Sequence, residues 1–285
     1  MTKTRVRAVP SVQRSQIGRI LRELRKASGV TNRDVCEATG LAPDTVTKIH
    51  LGRPCKLHPP VIEAIALLYD ATPDTVATLK SLVAGANTRA WWQDYGHALV
   101  KDFGVYLSFE SAADRIRVYD YRVVAGLMQT PDYMAHLFQL RPERGSDADR
   151  EQWAMMRQQR QALTETKERS VLLDESAIRR RIGPPATMAA QLRYLAKPGQ
   201  TDVRIIPDSA GLHDGIDTGP FTILDLVAEH ESIVYLEAGD QGWYAEGSDE
   251  VKGYVLSWDR IQAAALSAEE SSALRLSIAK ELDNG

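Results

Sequence analysis

Four polar side chains fall on one side of a short stretch: Asp44, Thr45, Thr47 and Lys48. Small acceptors, hydroxyls and one cation of this kind fit against base edges and phosphates in the major groove of a duplex. Asn32 and Arg33, just upstream, are placed to hold phosphates, and Arg53, in the basic run Arg53-Pro-Cys-Lys56, to touch backbone beside the groove. Asp44 repels phosphate unless it accepts from a cytosine amine. Two other groups could do chemistry. The first is Trp91-Trp92, which could stack on a base or a ligand, or else anchor a core as bulky aromatics usually do. The second is the glycine-rich run 211–219, where His213, Asp214 and Asp217 could bind a metal or act as acid and base, beside the plainer reading of a solvated loop.

The elements that must position the first group read as two short helices about a tight turn. Thr31 can cap the first helix, with Asp34 three residues on as its capping-box partner. Gly40 suits a sharp turn with positive φ. Pro43 suits the first position of the second helix, and Val46 and Ile49, three apart, should face inward. Ala42 offers no side-chain cap, a loss of about 1 kcal/mol.

Around this pair the spacing predicts a helix over 15–28 on Ile17, Ile20, Leu21 and Leu24, one opened by Pro59-Pro60, and one opened by Thr72-Pro73. A helical domain over 1–84, a hinge at 85–90 and a second domain over 91–285 follow. The second domain reads as helical first, with helices over 107–127, 131–140 and 151–164. It then reads as α/β, with strands near 171–173, 202–207, 221–226, 232–236 and 241–246 and helices over 186–195, 251–265 and 268–282. Asp174-Glu-Ser is expected to cap a further helix carrying Arg179, Arg180 and Arg181. The fold class is a mainly α helix-turn-helix domain followed by a mixed α and β domain.

Charge divides along the same line. Residues 1–88 hold 13 Lys+Arg against 7 Asp+Glu, a net of +6, and the rest 22 against 31, a net of −9. A cationic head on an acidic body is the footprint of a DNA reader with a separate effector domain. No glycine-rich phosphate loop opens a helix, no serine elbow occurs, and the six histidines are scattered, so an enzyme, a cofactor and a metal are not expected. Cys36 and Cys55 lack metal-ligand spacing, no apolar run approaches the roughly 20 residues of a membrane span, and Met1 to Gln13 reads as a basic arm. A cytoplasmic protein is expected.

The run from Thr31 to Pro54 resembles the lambda-repressor-like, or XRE, helix-turn-helix family, with Asn32, Ala42 and His50 where that family commonly has Gln, Ser and Glu. The second half is similar to the effector domain of WhiJ-like actinobacterial regulators. The likeness lies in Trp91-Trp92, Phe109-Glu-Ser-Ala-Ala113, Ala125-Gly-Leu-Met-Gln-Thr130, Leu173-Asp-Glu-Ser-Ala-Ile178 and Val203-Arg-Ile-Ile-Pro207. That resemblance implies a transcriptional regulator working with a small acidic or BldB-like partner protein encoded nearby. It also implies, as an alternative, an antitoxin; a further alternative is a regulator that senses a small ligand held near Trp91, Trp92, His213 and Asp214 in the region of the 211–219 run. Double-stranded DNA is the expected target and a homodimer the expected form, since such readers pair to reach two half-sites.

Overall fold

The computed structural model describes residues 12–52, 55–86, 95, 103–140, 145–197, 199, 201–226, 231–238, 241–245 and 248–284. The chain divides into two compact units.

The first unit holds α1 (Val12–Ser28), α2 (Asn32–Thr39), α3 (Pro43–His50), α4 (Pro59–Leu68) and α5 (Pro73–Ala86). Their apolar stripes close one core around Ile17, Leu21, Val35, Val46, Ile62 and Leu79, all fully buried. Gly18 lets the backbone of α1 meet the end of α3. A Cβ there would lie 2.6 Å from the His50 carbonyl, 2.8 Å from the Ile49 carbonyl and 2.8 Å from the Gly52 amide. The expected hinge at 85–90 begins inside α5: Gly85 is helical, and Ala86 is buried and accepts from Arg14 Nη2 at 3.1 Å. Residues 87–90 and Trp91-Trp92 lie outside the described residues.

The second unit is built on a six-stranded mixed sheet. Its strands are β1 (Arg115–Asp120), β2 (Glu168–Asp174), β3 (Thr201–Ile206), β4 (Phe221–Leu226), β5 (Glu231–Ala238) and β6 (Gln241–Ala245), in the order β3-β2-β1-β4-β5-β6. The first three pair parallel and the last three are joined antiparallel. Helix α6 (Phe103–Ala112) precedes β1, while α7 (Pro131–Gln139) and α8 (Asp147–Thr164) cross from β1 to β2. Helices α9 (Glu175–Arg179) and α10 (Pro185–Leu195) cross from β2 to β3, α11 (Asp214–Thr218) leads into β4, and α12 (Ser248–Ala264) and α13 (Ala268–Asn284) follow β6. One face of β1–β3 packs Val171, Leu173, Val203 and Ile205 against α10 and α13. The other face packs Leu172, Ile206, Phe221 and Val234 against Trp258 and Ile261 of α12. The open edge of β3 is sealed: Leu266 N–H donates to the Ile205 carbonyl, the Ile205 N–H donates to Ser271 Oγ, and Arg275 donates to the Val203 carbonyl. A covered edge gives no template for stray strand pairing.

The helical reading of 107–127 is corrected. Helix α6 ends at Ala112, and residues 115–120 form β1. Arg117, in the middle of this stretch, is itself buried. It holds Asp225 on β4 through two bonds, Nε to Oδ2 at 3.0 Å and Nη2 to Oδ1 at 2.8 Å. A buried cation in a strand hides the period of two. Burial pushes the Asp225 carboxyl up, but hydrogen bonds from Arg117, Ser232 and Arg115 outweigh it and hold the group below its ordinary value. The run Ala125–Thr130 is a short 3-10 turn whose buried backbone groups are met by glutamines. Gln161 Nε2 donates to the Gly126 and Gln129 carbonyls, Gln191 Nε2 donates to the Met128 carbonyl, and Gln191 Oε1 accepts from Thr130 N–H. Irregular buried backbone must find such partners.

Gly18→Ala forces a methyl group into three backbone atoms, so one of the two helices must shift. Overpacking of this kind lowers stability by about 1–3 kcal/mol. Denaturant unfolding of the first unit, followed by amide exchange, is expected to show that loss. An unchanged midpoint would mean that α1 does not set the position of α3.

Candidate nucleic-acid interface

Each end of the two central helices is fixed by a local device. Thr31 Oγ1 accepts from Asp34 N–H at 3.3 Å, and Thr31 N–H donates to Asp34 Oδ2 at 2.8 Å, closing a capping box. The Thr31 hydroxyl and amide hold the Asp34 carboxyl below its ordinary value. Gly40 stops α2 at φ 68, and its N–H donates to the Cys36 carbonyl at 2.9 Å. Ala42 precedes α3 with no side-chain cap, and Pro43 takes the first helical position.

This geometry turns Val46 and Ile49 inward, and burying each contributes about 1.5–3 kcal/mol. Asp44 and Thr47 are exposed, and Thr45 and Lys48 are half-buried, so all four remain reachable from solvent. Lys48 Nζ lies 2.5 Å from Asp44 Oδ2 one turn earlier, and Thr47 Oγ1 donates to the Pro43 carbonyl at 2.9 Å. On α2, Asn32 and Arg33 are exposed, and Arg33 Nε lies 2.9 Å from Glu37 Oε1. Lys56 is exposed in the basic loop after α3, whereas Arg53 lies outside the described residues. Exposed pairs one turn apart contribute only about 0.3–0.5 kcal/mol, so both cations can exchange their carboxylate for a phosphate at little cost.

The sequence gives no sign of what holds the far end of α3. Arg22 of α1 donates to the His50 carbonyl, at the negative end of the helix dipole. The His50 ring is 4% exposed, stacks on Tyr69 and lies 2.9 Å from the Tyr69 hydroxyl through Nε2. Burial, with Arg25 and Arg22 close by, pushes the His50 pKa down to about 4, so the ring is neutral at pH 7. The meeting of Arg22 and Arg25 with His50 depends on the tertiary fold and has no local signal.

The second candidate group is tied into the contacts of the second unit. His213 Nδ1 accepts from Gly215 N–H at 3.2 Å and caps α11, while its Nε2 faces Asp174 Oδ2 at 3.4 Å. Both ring nitrogens are therefore engaged within the fold. Asp214 pairs with Arg260 at 3.1 Å. Asp174, expected to cap α9, makes no cap bond there and instead accepts from the Tyr119 hydroxyl at 3.1 Å. Burial raises its carboxyl, and His213 and Tyr119 draw it back only in part. Within the run 211–219, Gly215 packs against the Tyr119 ring, while Gly211, Leu212, Ile216 and Asp217 are exposed. Among the described residues no three His, Cys, Asp or Glu side chains are grouped to hold a metal ion. Nor is any helix there long and apolar enough to cross a membrane.

Two family models match the chain. A helix-turn-helix domain matches residues 16–79, and a domain of unknown function, DUF5753, matches residues 103–274, which is 172 of the 285 residues. No curated protein and no solved structure matches.

A buried neutral histidine makes the first unit sensitive to acid. The unfolded chain takes up the His50 proton near pH 6.5 and the folded chain only near 4, so stability falls as pH drops through that window and levels off below it. The slope is at most about 1.4 kcal/mol per pH unit. Amide exchange of α3 at pH 7 and pH 5, corrected for intrinsic rates, should register the loss. His50→Gln should flatten it, and an equal pH response in that variant would assign the effect elsewhere.

Proposed function

We propose that this chain, which belongs to the DUF5753 family and carries a helix-turn-helix domain ahead of that region, is a sequence-specific DNA-binding regulator. In this reading α3 enters the major groove with Asp44, Thr45, Thr47 and Lys48 toward the bases. Asn32 and Arg33 at the start of α2, and Arg53 after α3, hold the phosphates on either side. The observation that carries the reading is the division of α3: Val46 and Ile49 are locked into the core while the four polar side chains stay accessible. The net charge of +6 over residues 1–88 supplies the attraction that duplex binding requires.

In the same proposal residues 1–84 form the reader, 85–90 a hinge, and 91–285 an effector domain that acts without catalysis. Two copies pair to read two half-sites one turn apart. A small acidic partner protein changes DNA affinity by docking on the second domain. A cleft of about 230 Å³ supports that docking. It is lined by Met188, Ile278 and Leu282 together with Arg179, Arg181 and Glu281, on a part of the chain whose net charge is −9. Arg179 is held by Glu175 at 2.6 Å, whereas Arg181 is exposed with no carboxylate within 4 Å among the described residues. The ligand-sensor alternative instead places a small molecule near Trp91, Trp92, His213 and Asp214, and toxicity of the partner expressed alone separates the antitoxin from the regulator.

Lys48→Ala and Arg53→Ala are each expected to weaken duplex binding on every sequence and to lower the slope of log K against log salt by about one. Thr45→Ala and Thr47→Ala should instead relax discrimination between sites. Fluorescence polarisation at several salt concentrations separates the two outcomes, and an unaltered salt slope would remove Lys48 and Arg53 from the contact set. Arg181→Glu should abolish co-purification of the co-expressed product of the adjacent gene while leaving duplex affinity unchanged. Undiminished co-purification would move the docking site elsewhere.

A further inference from the structure

Helix α11 has five residues, and Gly215 alone among them is buried. Leu212, just before it, and Ile216, within it, are largely open to solvent. A helix this short has no stability of its own, so its contacts with the rest of the unit decide whether it forms. The Asp214–Arg260 pair at 3.1 Å faces outward, with Arg260 mostly exposed, and contributes little. Gly215 lies so close to the Tyr119 ring that a Cβ would come within 2.2 Å of it. The amino end is held by His213, whose Nδ1 accepts from the Gly215 N–H at 3.2 Å.

That cap fixes the protonation of a buried ring. A nitrogen that accepts carries no hydrogen, so the neutral imidazole holds its proton on Nε2, which faces Asp174 Oδ2 at 3.4 Å. The other carboxylate oxygen accepts from the Tyr119 hydroxyl at 3.1 Å, and the Tyr119 ring stands edge-on to His213 at 6.1 Å. A second proton has no place here. On Nδ1 it would point at the Gly215 N–H, donor against donor. On Asp174 Oδ2 it would turn toward Nε2, which already carries one. The positive charge itself, however, suits the site. Burial raises the Asp174 carboxyl, and His213 and Tyr119 offset that only in part, so an imidazolium would supply what the carboxylate lacks. The other charged groups around the ring do not compete. Asp208, in the turn after β3, acts on Asp174 and adds negative charge, and Arg260 of α12 is held by Asp214. A capped α11 and a full His213–Asp174 ion pair therefore exclude each other.

We propose that His213 is a proton-operated latch on the run 211–219. Neutral, it caps α11 and holds the run against the ends of β1 and β2; protonated, it keeps Asp174 and releases α11. Imidazole is the side chain whose charge changes between pH 5 and 8, so the latch works near neutrality. Tyr119 is the last residue but one of β1 and Asp174 the last of β2, so the segment that moves lies at the carboxyl ends of two parallel strands. Open α/β sheets take up ligands at such ends, and the latch governs access to this one. The proposal is independent of the DNA reading, because every group in it belongs to the second unit.

The test follows amide exchange of Gly215, Ile216 and Gly219 in the full chain at pH 7.5 and pH 5.5, corrected for intrinsic rates. Their hydrogen bonds go to His213 Nδ1, the His213 carbonyl and the Gly215 carbonyl. Protection is expected to fall about ten-fold, the worth of one N-cap, while the amides of β2 keep theirs. His213→Asn supplies a good cap that cannot titrate, so protection there should be the same at both pH values. An equal fall in that variant, an equal fall in β2, or no fall in the natural chain overturns the proposal. Imidazole nitrogen shifts of the natural chain give a second measurement that needs no variant. They should report hydrogen on Nε2 alone at pH 7.5, and on both nitrogens at pH 5.5 together with loss of Gly215 protection. A doubly protonated ring beside a still protected Gly215 amide would equally exclude the latch.

Discussion

The backbone of α1 at Gly18 touches the last turn of α3, and the pose of the polar helix follows from that contact. Helix α3 has only eight residues and no side-chain N-cap, so it cannot stand on local propensity. It is held from behind by Val46 and Ile49, at its end by Gly18 and Arg22, and by the pairing of His50 with Tyr69, the residue that caps the end of α4. Each of these supports reaches the buried side or the carboxyl end. None occupies the side that carries Asp44, Thr45, Thr47 and Lys48. Rigidity and access are thereby separated within a helix of about two turns, which is what a groove reader requires.

The second unit solves a different problem, that of placing charges inside a mixed sheet. Arg117, Arg115 and Ser232 converge on Asp225, and Arg160 meets Glu110 through two bonds at 2.9 and 2.6 Å with both groups buried. Lys167 donates to the carbonyls of Glu110, Ser111 and Ala113 at the end of α6. Buried pairs of this type add little net stability over apolar replacements, but losing one member is severe because its partner is left charged and dry. Their effect is to fix register. Sliding β4 by one residue would carry Asp225 to the opposite face of the sheet and strand both arginines.

What could be read from the sequence follows the range of each interaction. The helix-turn-helix was legible because its signals are local: Thr31 with Asp34, a glycine at φ 68, Pro43 at the first helical position, and apolar residues three apart. Strand β4 was legible as a short apolar run with the bounds Phe221–Leu226. Strand β1 was not, because Arg117 looks like a surface residue until Asp225, 108 residues away, is brought opposite. Asp174 failed for the converse reason. A local capping pattern was present, but the carboxylate is spent on Tyr119 and His213, 55 and 39 residues distant. His50 stands in the middle of the best-read segment, yet its burial against Tyr69 has no local signature.

The same locality bears on how a reader with an acid on its working face can bind duplex at all. In the free protein Asp44 lies against Lys48, and Arg33 lies against Glu37. Neither pair is strong enough to resist a phosphate. In the proposed complex, once Lys48 turns to the backbone, Asp44 is left facing a polyanion. The carboxylate regains a partner only where a cytosine amine is opposite it. It therefore subtracts affinity at wrong sites more than it adds at the right one, and discrimination built in this way acts by penalty. In that proposal the cationic excess of the first 88 residues makes the penalty tolerable, with attraction supplied by the whole surface and selectivity by one helix face.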